Sequence, residues 1–259
     1  MVNDIILNAG KYYQQCLRIG YKPEIVDYLK SRHISDDTIK TFGLGLSPTD
    51  RGLVRFLREK HYTINDMQMF GLCKANEKGN VMYDIMRNRL TMEIRNCRGE
   101  VVAFAGRTIF DGRCKYLNTP STPIFTKGHT VFNLDKAKYA IDYLNNNYLI
   151  LVEGYFDVMS LWDRGIKNVV AGMGTAFTDK QAMLLRMFTD RVVVCLDGDA
   201  AGQAGGDRAV QTLNACGIKS YKMVLPDNLD ADEFINKYSK DEFLSLVSTA
   251  LGQPTDNIR

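Results

Sequence analysis

Hydrophobic and polar positions along the chain change rhythm twice. Through the first 80 residues apolar positions recur at helical spacing, in segments such as Pro23 to Arg32 and Gly52 to Lys60. Ser35 followed by Asp36 and Asp37 supplies a further helix start, so this stretch reads as a scaffold of short helices. Between Val81 and Ile109 the pattern becomes short β-rich runs, RLTMEI and VVAFAGRTI, parted by the turn-like NCRGE, which predicts a hairpin or meander. From Tyr148 the rhythm becomes apolar strand, polar loop and helix in alternation. YLILV, NVVAG, RVVVCL and KSYKMV read as buried strands, with FDVMSLWDRG, TDKQAMLLRMF and QAGGDRAVQTLNAC as helices between them. Continuous apolar strands alternating with helices imply a mostly parallel sheet covered on both faces. The expected fold class is therefore α/β: a mixed α+β subdomain over residues 1–147, a mostly parallel sheet flanked by helices over 148–240, and a helical tail over 241–259.

Composition supports this picture and narrows it. A 259-residue chain that is 45% hydrophobic and 24% charged is that of a globular protein with room for two packed subdomains. No apolar run approaches the roughly 20 residues needed to cross a bilayer, and the N-terminus lacks a secretory signal, so a cytoplasmic protein without membrane contact is expected. The six cysteines (Cys16, Cys73, Cys97, Cys114, Cys195 and Cys216) form no CxxC pair, and there are only three histidines; free thiols and no structural zinc are predicted. Charge is divided unevenly. Met1 to Asn147 holds 22 Lys plus Arg against 15 Asp plus Glu, a net +7, and Tyr148 to Arg259 holds 11 against 15, a net −4. A basic half suggests a polyanionic partner and an acidic half suggests cations, with solvated surface as the alternative.

The acidic residues fall where a parallel sheet would gather them. Ligands bind beyond the carboxyl ends of such strands. Glu153 directly follows YLILV, Asp197 and Asp199 follow RVVVCL in the run DGDAAG, and Asp230 and Asp232 follow the next strand in LPDNLDADEF. Asp157, four residues after Glu153, stays near the same rim. Carboxylates brought together repel, and divalent cations relieve that repulsion; oxygen-only ligands suit Mg²⁺ and argue against zinc. Alternatively, Asp197 and Asp199 merely cap the following helix and Glu153 begins another.

VEGYFDV (Val152 to Val158), MGTAFT (Met173 to Thr178) and CLDGDAAG (Cys195 to Gly202) resemble the Toprim domain of primases, topoisomerases and some nucleases. The expected sheet is then of Toprim type. Upstream, MRNRLTMEI (Met86 to Ile94), GEVVAFAGRTI (Gly99 to Ile109) and KYLNTPSTPIFTKGHTVFNL (Lys115 to Leu134) resemble consecutive motifs of the catalytic core of DnaG-type bacterial primases. The resemblance runs almost from residue 10 to residue 250.

That resemblance implies synthesis of short RNA primers on single-stranded DNA from ribonucleoside triphosphates during replication, leaving an RNA–DNA hybrid. A primer 3′-hydroxyl would attack the α-phosphate and release pyrophosphate. Glu153, Asp197 and Asp199 would be catalytic, Glu153, Asp197, Asp199, Asp230 and Asp232 would ligate Mg²⁺ with Mn²⁺ as a substitute, and Asp157 would support them; Glu153 is implied either as ligand or as general acid or base. Basic residues are dense around the meander: Arg87, Arg89, Arg95, Arg98, Arg107, Arg113 and Lys115, then Lys127 in KGH. Of these Arg87, Arg89, Arg107, Lys115 and Lys127, with Asn118, match residues that contact nucleic acid or nucleotide. A guanidinium donates two hydrogen bonds to one phosphate, which suits that task. Of Tyr116, Phe125 and Phe132, at least two are expected in the core rather than stacked on bases, and Trp162 reads as packing. A monomer is expected. A complete DnaG would add a zinc-binding domain before this region and a domain after it that contacts the replicative helicase; a core fragment and a naturally short primase both fit. A Toprim nuclease or topoisomerase would share the carboxylates but lack the KYLNTP to FNL region, and a silent DNA-binding or helicase-docking module would not need intact Glu153, Asp197 and Asp199.

Overall fold

The computed structural model describes residues 2–48, 51–76, 78, 82–109, 115–143, 147–174 and 176–252. Arg113, Cys114, Thr175 and the tail from 253 to 259 lie outside the described residues. The chain forms two compact units: Met1–Arg95 with Glu100–Thr126, and Asn96–Gly99 with Lys127–Arg259.

The first unit opens with helices α1 (Val2–Arg18), α2 (Pro23–Ser31) and α3 (Asp36–Thr41). Proline in the first turn of α2 loses no helical hydrogen bond, and Ser35 caps α3 by accepting from the Thr38 N–H at 3.1 Å. There follow β1 (Gly45–Ser47), α4 (Gly52–Glu59), α5 (Ile64–Met69), β2 (Cys73–Ala75), β3 (Met82–Asp84), β4 (Arg89–Arg95), β5 (Val101–Arg107) and β6 (Tyr116–Asn118). Strands β1, β4, β5 and β6 make an antiparallel sheet in that order, and the expected hairpin is β4–β5, with Gly99 at φ +87° in its turn. Ile5, Ile6 and Tyr13 of α1, Leu53 and Leu57 of α4, Met67 and Phe104 form one buried core.

A buried carboxyl, Asp84 at the end of β3, sits at the edge of this core. Tyr13 donates its hydroxyl to Asp84 Oδ1 at 2.9 Å, the Met86 N–H donates at 2.8 Å, and Ser47 donates closely to Oδ2. Burial pushes the Asp84 carboxyl up to about 6 against these bonds, and raises the Tyr13 hydroxyl as well.

The second unit continues with a 3₁₀ turn at Lys127–His129, then α6 (Leu134–Tyr143), β7 (Leu149–Val152), α7 (Tyr155–Asp163), β8 (Val169–Ala171), α8 (Asp179–Arg186), β9 (Arg191–Val194), α9 (Ala200–Ala215) and β10 (Lys219–Lys222). After a 3₁₀ turn at Pro226–Asn228 come α10 (Ala231–Lys237) and α11 (Lys240–Leu251). The sheet is wholly parallel in the order β10-β9-β7-β8, as the apolar strands predicted. Successive strands leave β7 first to one side and then to the other, which puts the topological switch point between β7 and β9.

The compact units divide before Lys127, ahead of the change of strand rhythm at 147/148. Phe132 pairs with Ala171, Asn133 Nδ2 donates to the Val169 carbonyl at 2.8 Å, and Val131, Leu134, Ala137 and Ile141 share a core with Leu149, Leu151 and Val192. The hairpin tip joins the same unit, since Lys138 Nζ donates to the Cys97 carbonyl at 2.7 Å. Hydrophobic contact thus ties the segment from Lys127 to the parallel sheet. Among the described residues no helix is long and apolar enough to cross a membrane, and Cys16, Cys73, Cys97, Cys195 and Cys216 carry free thiols.

Candidate functional site

Three loops bring acidic side chains to the carboxyl edge of the parallel sheet. Glu153 leaves the central strand β7 and is exposed. Gly154 stands at the N-cap of α7, and three residues on Asp157 turns back to accept from the Gly154 N–H at 2.7 Å. Asp197 and Asp199 follow β9; Asp199 caps α9 by accepting from the Gly202 N–H at 2.7 Å. Asp230 caps α10, accepting from the Glu233 N–H at 2.7 Å, while Glu233 accepts in return from the Asp230 N–H at 3.3 Å. Capping and site membership are thus not alternatives, because each cap stands at the sheet edge.

The glycine between Asp197 and Asp199 is what lets two of these loops meet. The Gly198 N–H donates to the Leu229 carbonyl at 3.2 Å, and a Cβ on Gly198 would stand 2.5 Å from the Asn228 Cα. Any larger residue would drive the Asp197–Asp199 loop away from the segment bearing Asp230.

The carboxylates feel one another. Asp197 is pushed up to about 7, chiefly by burial, then by the charges of Glu153, Asp230, Asp199 and Glu233. Asp157 is pushed up to about 8 by burial, then by Asp230 and Asp197, against the hydrogen bonds from the Gly154 and Asp232 main chain. Glu153, Asp197, Asp199 and Asp230 therefore form one electrostatic cluster, and Glu233, not singled out from the sequence, belongs to it. Its signal was the D-x-x-E capping box that starts α10.

Asp232 is more deeply buried than Glu153 at the rim. It is 2% exposed, it accepts a close hydrogen bond from Ser160 Oγ, and Asn236 Nδ2 donates to it at 3.0 Å. These hydrogen-bond partners lie on α7 and α10. Asp157 is likewise buried, at 6% exposure, and supports the rim through the backbone.

Among the described residues no three of these side chains stand close enough to hold one ion in common, so the cluster is an open rim. Its donor chemistry nevertheless fits a hard divalent cation: oxygens alone, with mutual repulsion that a cation would relieve. Beside the rim opens a cleft of about 530 Å³, lined by Glu153, Asp197, Asp199, Gly174, Phe177 and Arg208 among others.

The basic residues occupy two different settings. In the first unit Arg87 is exposed and stacks over Tyr83 at 4.0 Å, and Lys115 is exposed. Arg89 donates to the Gly106 and Lys115 carbonyls at 3.4 and 3.3 Å, and Asn118 lies opposite Ala105 in the sheet. Arg107 is only 7% exposed, bonded to the Tyr116 hydroxyl at 2.5 Å and stacked on the rings of Tyr28 and Tyr116. Lys127 belongs to the second unit with the carboxylates, a placement its position in the basic half did not foretell. Phe125 and Phe132 are buried core residues, as expected.

Two family models divide the chain between them. A Toprim-like model matches residues 150–235, which makes the second unit a Toprim-like domain. The model of the DNA primase catalytic core, N-terminal domain, matches residues 12–138. The chain is 37% identical over 253 residues to a DNA primase of Rickettsia bellii, covering 96% of this chain and 42% of that protein. It superposes on the Aquifex aeolicus primase (zinc-binding and RNA polymerase domains) with TM-score 0.88 and 34% identity, covering 96% of this chain and 60% of that one. A DnaG primase catalytic domain bound to single-stranded DNA gives TM-score 0.85 and 31% identity, covering 99% and 80%. The chain belongs to the family of DnaG primase catalytic cores. It spans about two fifths of the length of the curated relatives it matches.

Proposed function

We propose that this chain is the RNA-synthesising core of a bacterial DNA primase, a metal-dependent nucleotidyltransferase of the cytoplasm that extends RNA on single-stranded DNA. The observation that carries the reading is the placing of Glu153, Asp197, Asp199 and Asp230 along the carboxyl edge of a Toprim-like sheet, within electrostatic reach of one another, in a chain that matches primase cores along nearly its whole length.

Glu153, Asp197, Asp199 and Asp230 would hold Mg²⁺, or Mn²⁺ in its place. Such an ion neutralises triphosphate charge and orients the reacting oxygens. The protein's own part is positional. Asp157 and Asp232 fix the loops from behind, through hydrogen bonds to backbone and to Ser160. Lys127, against the cleft wall, supplies positive charge to the phosphates of a ribonucleoside triphosphate. Arg87, Arg89, Lys115 and Asn118 bind template or nucleotide, and Arg107 contributes mainly by holding Tyr116. In the reaction a primer 3′-hydroxyl gives up its proton to water, its oxygen forms a bond to the α-phosphorus, the bond from that phosphorus to the bridging oxygen breaks, and pyrophosphate leaves.

The test is to incubate the protein with single-stranded DNA, Mg²⁺ or Mn²⁺ and labelled ribonucleotides, beside a variant carrying Asp197→Ala and Asp199→Ala. Template-dependent RNA made by the parent and absent from the variant supports the reading. DNA cleavage without synthesis would transfer the site to nuclease chemistry, and DNA binding without either would leave a binding module.

A further inference from the structure

The segment bearing Lys127 is docked on the start of α8 by side chains that also cap that helix. Thr178 accepts from the Gln181 N–H at 3.2 Å and donates its hydroxyl to the Gly128 carbonyl at 2.6 Å. Gln181, 2% exposed, accepts from the Thr178 N–H at 3.0 Å, while its amide donates to the Thr130 carbonyl at 2.8 Å and the Lys127 carbonyl at 3.4 Å. One capping box thus satisfies three carbonyls of the 127–130 turn as well as the helix end.

The side chain of Lys127 is placed by a different neighbour. A Cβ on Gly174 would overlap Nζ and Cε of Lys127, so the lysine tip lies directly against the backbone of Gly174. Gly174 lines the same cleft as Glu153, Asp197 and Asp199. Among the described residues Lys127 makes no ion pair within 4 Å, and its ammonium is held at the cleft wall.

We infer that Gly174, Thr178 and Gln181 are positioning residues that seat the Lys127 ammonium in the acidic cleft, ready for the phosphates of an incoming nucleotide. The role for Lys127 rests on the proposed primase reading; the seat itself rests on the geometry alone. Gly174 is not in the left-handed region, so alanine is compatible with its backbone, and the clash is with the flexible end of a side chain. Gly174→Ala would move the lysine tip while leaving the fold in place.

Two measurements test this. The first is independent of synthesis: the rate of acylation of Lys127 by an amine-directed reagent, followed by mass spectrometry in the parent and in Gly174→Ala. An altered rate at Lys127, with other lysines and the melting temperature unchanged, supports the seat, and an unchanged rate overturns it. The second is a double-mutant cycle on primer synthesis. Gly174→Ala alone should raise the KM for ribonucleoside triphosphates about tenfold with a smaller effect on kcat, and should add nothing in a Lys127→Ala background. Thr178→Val should raise KM in the same sense, and Thr178→Ser should restore it. Effects of Gly174→Ala and Lys127→Ala that multiply would overturn the inference. A parent that makes no RNA but shows the acylation difference sinks the primase reading and leaves the seat standing.

Discussion

The carboxylate of Asp157 accepts a hydrogen bond from the main-chain N–H of Asp232 at 3.3 Å, tying the loop after β7 to the start of α10. The same carboxylate holds the Gly154 N–H at 2.7 Å. Asp157→Ala would strand two backbone donors in a buried place, at about 1–3 kcal/mol for each one left unsatisfied. The expected result is a lower urea midpoint together with weaker RNA synthesis, measured on the same preparation.

Asp230 and Asp232 are two residues apart and should behave oppositely. Asp230→Asn keeps the helix cap, since asparagine caps as well as aspartate, but removes a rim charge. Stability should hold while synthesis falls. Asp232→Ala instead leaves the Ser160 hydroxyl without its buried acceptor, while Asn236 keeps the Asp232 carbonyl, and should cost about 1–3 kcal/mol in denaturant unfolding, with cation affinity retained. Loss of cation affinity at unchanged stability in Asp232→Ala would place that residue on the rim after all.

Repulsion within the rim gives a prediction with two signs. Removing one charge by Asp197→Asn should raise the melting temperature in the absence of divalent cation, because burial and four neighbouring carboxylates penalise the ionised Asp197. Adding Mg²⁺ should then stabilise the parent, by about 2.7 kcal/mol at a hundred times Kd, and stabilise the variant much less. Calorimetry with and without chelator reads both. RNA synthesis by the variant should drop on the order of a thousandfold, the scale of several kcal/mol of transition-state charge stabilisation.

Asp84 predicts a pH dependence of stability in the first unit. A carboxyl whose folded pKa, about 6, lies above its unfolded value, about 3.9, binds its proton more tightly when folded. Its contribution is therefore most favourable below about pH 4, declines as pH rises to about 6, and is constant above. Asp84→Asn should remove that decline, since an amide oxygen still accepts from Tyr13 and Met86 while the amide N–H faces Ser47. Melting temperatures of parent and variant across pH 4 to 7 would show the curves converging toward the acid end if this is right, and running parallel if it is not.

Much of this was legible in the chain. Strands β7, β8 and β9 are continuous apolar runs because both faces are covered, and a short apolar run bounded by polar loops is what such burial requires. Glu153, Asp197 and Asp199 could be placed at the sheet edge because each closely follows such a run. Asp232 was not separable from Asp230 because the separation depends on where α10 begins: each helical residue turns about 100° from the last, so a cap at Asp230 sends Asp232 inward and Glu233 outward. The docking of the Lys127 turn was hidden by a different cause. Its contacts join Gly128 to Thr178 and Thr130 to Gln181 through backbone carbonyls, and a carbonyl leaves no mark on residue identity. The contacts of Phe132 and Asn133 were hidden likewise, because those residues declare their partners only once β8 is present.

The strand order of the second unit carries a consequence for how the protein comes to be active. The acidic residues are delivered by β7, β9 and the segment beyond β10, so no stretch of chain possesses the site until the last parallel strand has docked. Strand β10 is also at the edge of the sheet and the most polar of the four, with one strand neighbour to hold it. The rim is thus complete only with β10 in place and is dispersed when that edge strand frays; an assay of RNA synthesis during refolding is expected to lag behind an optical signal from the core.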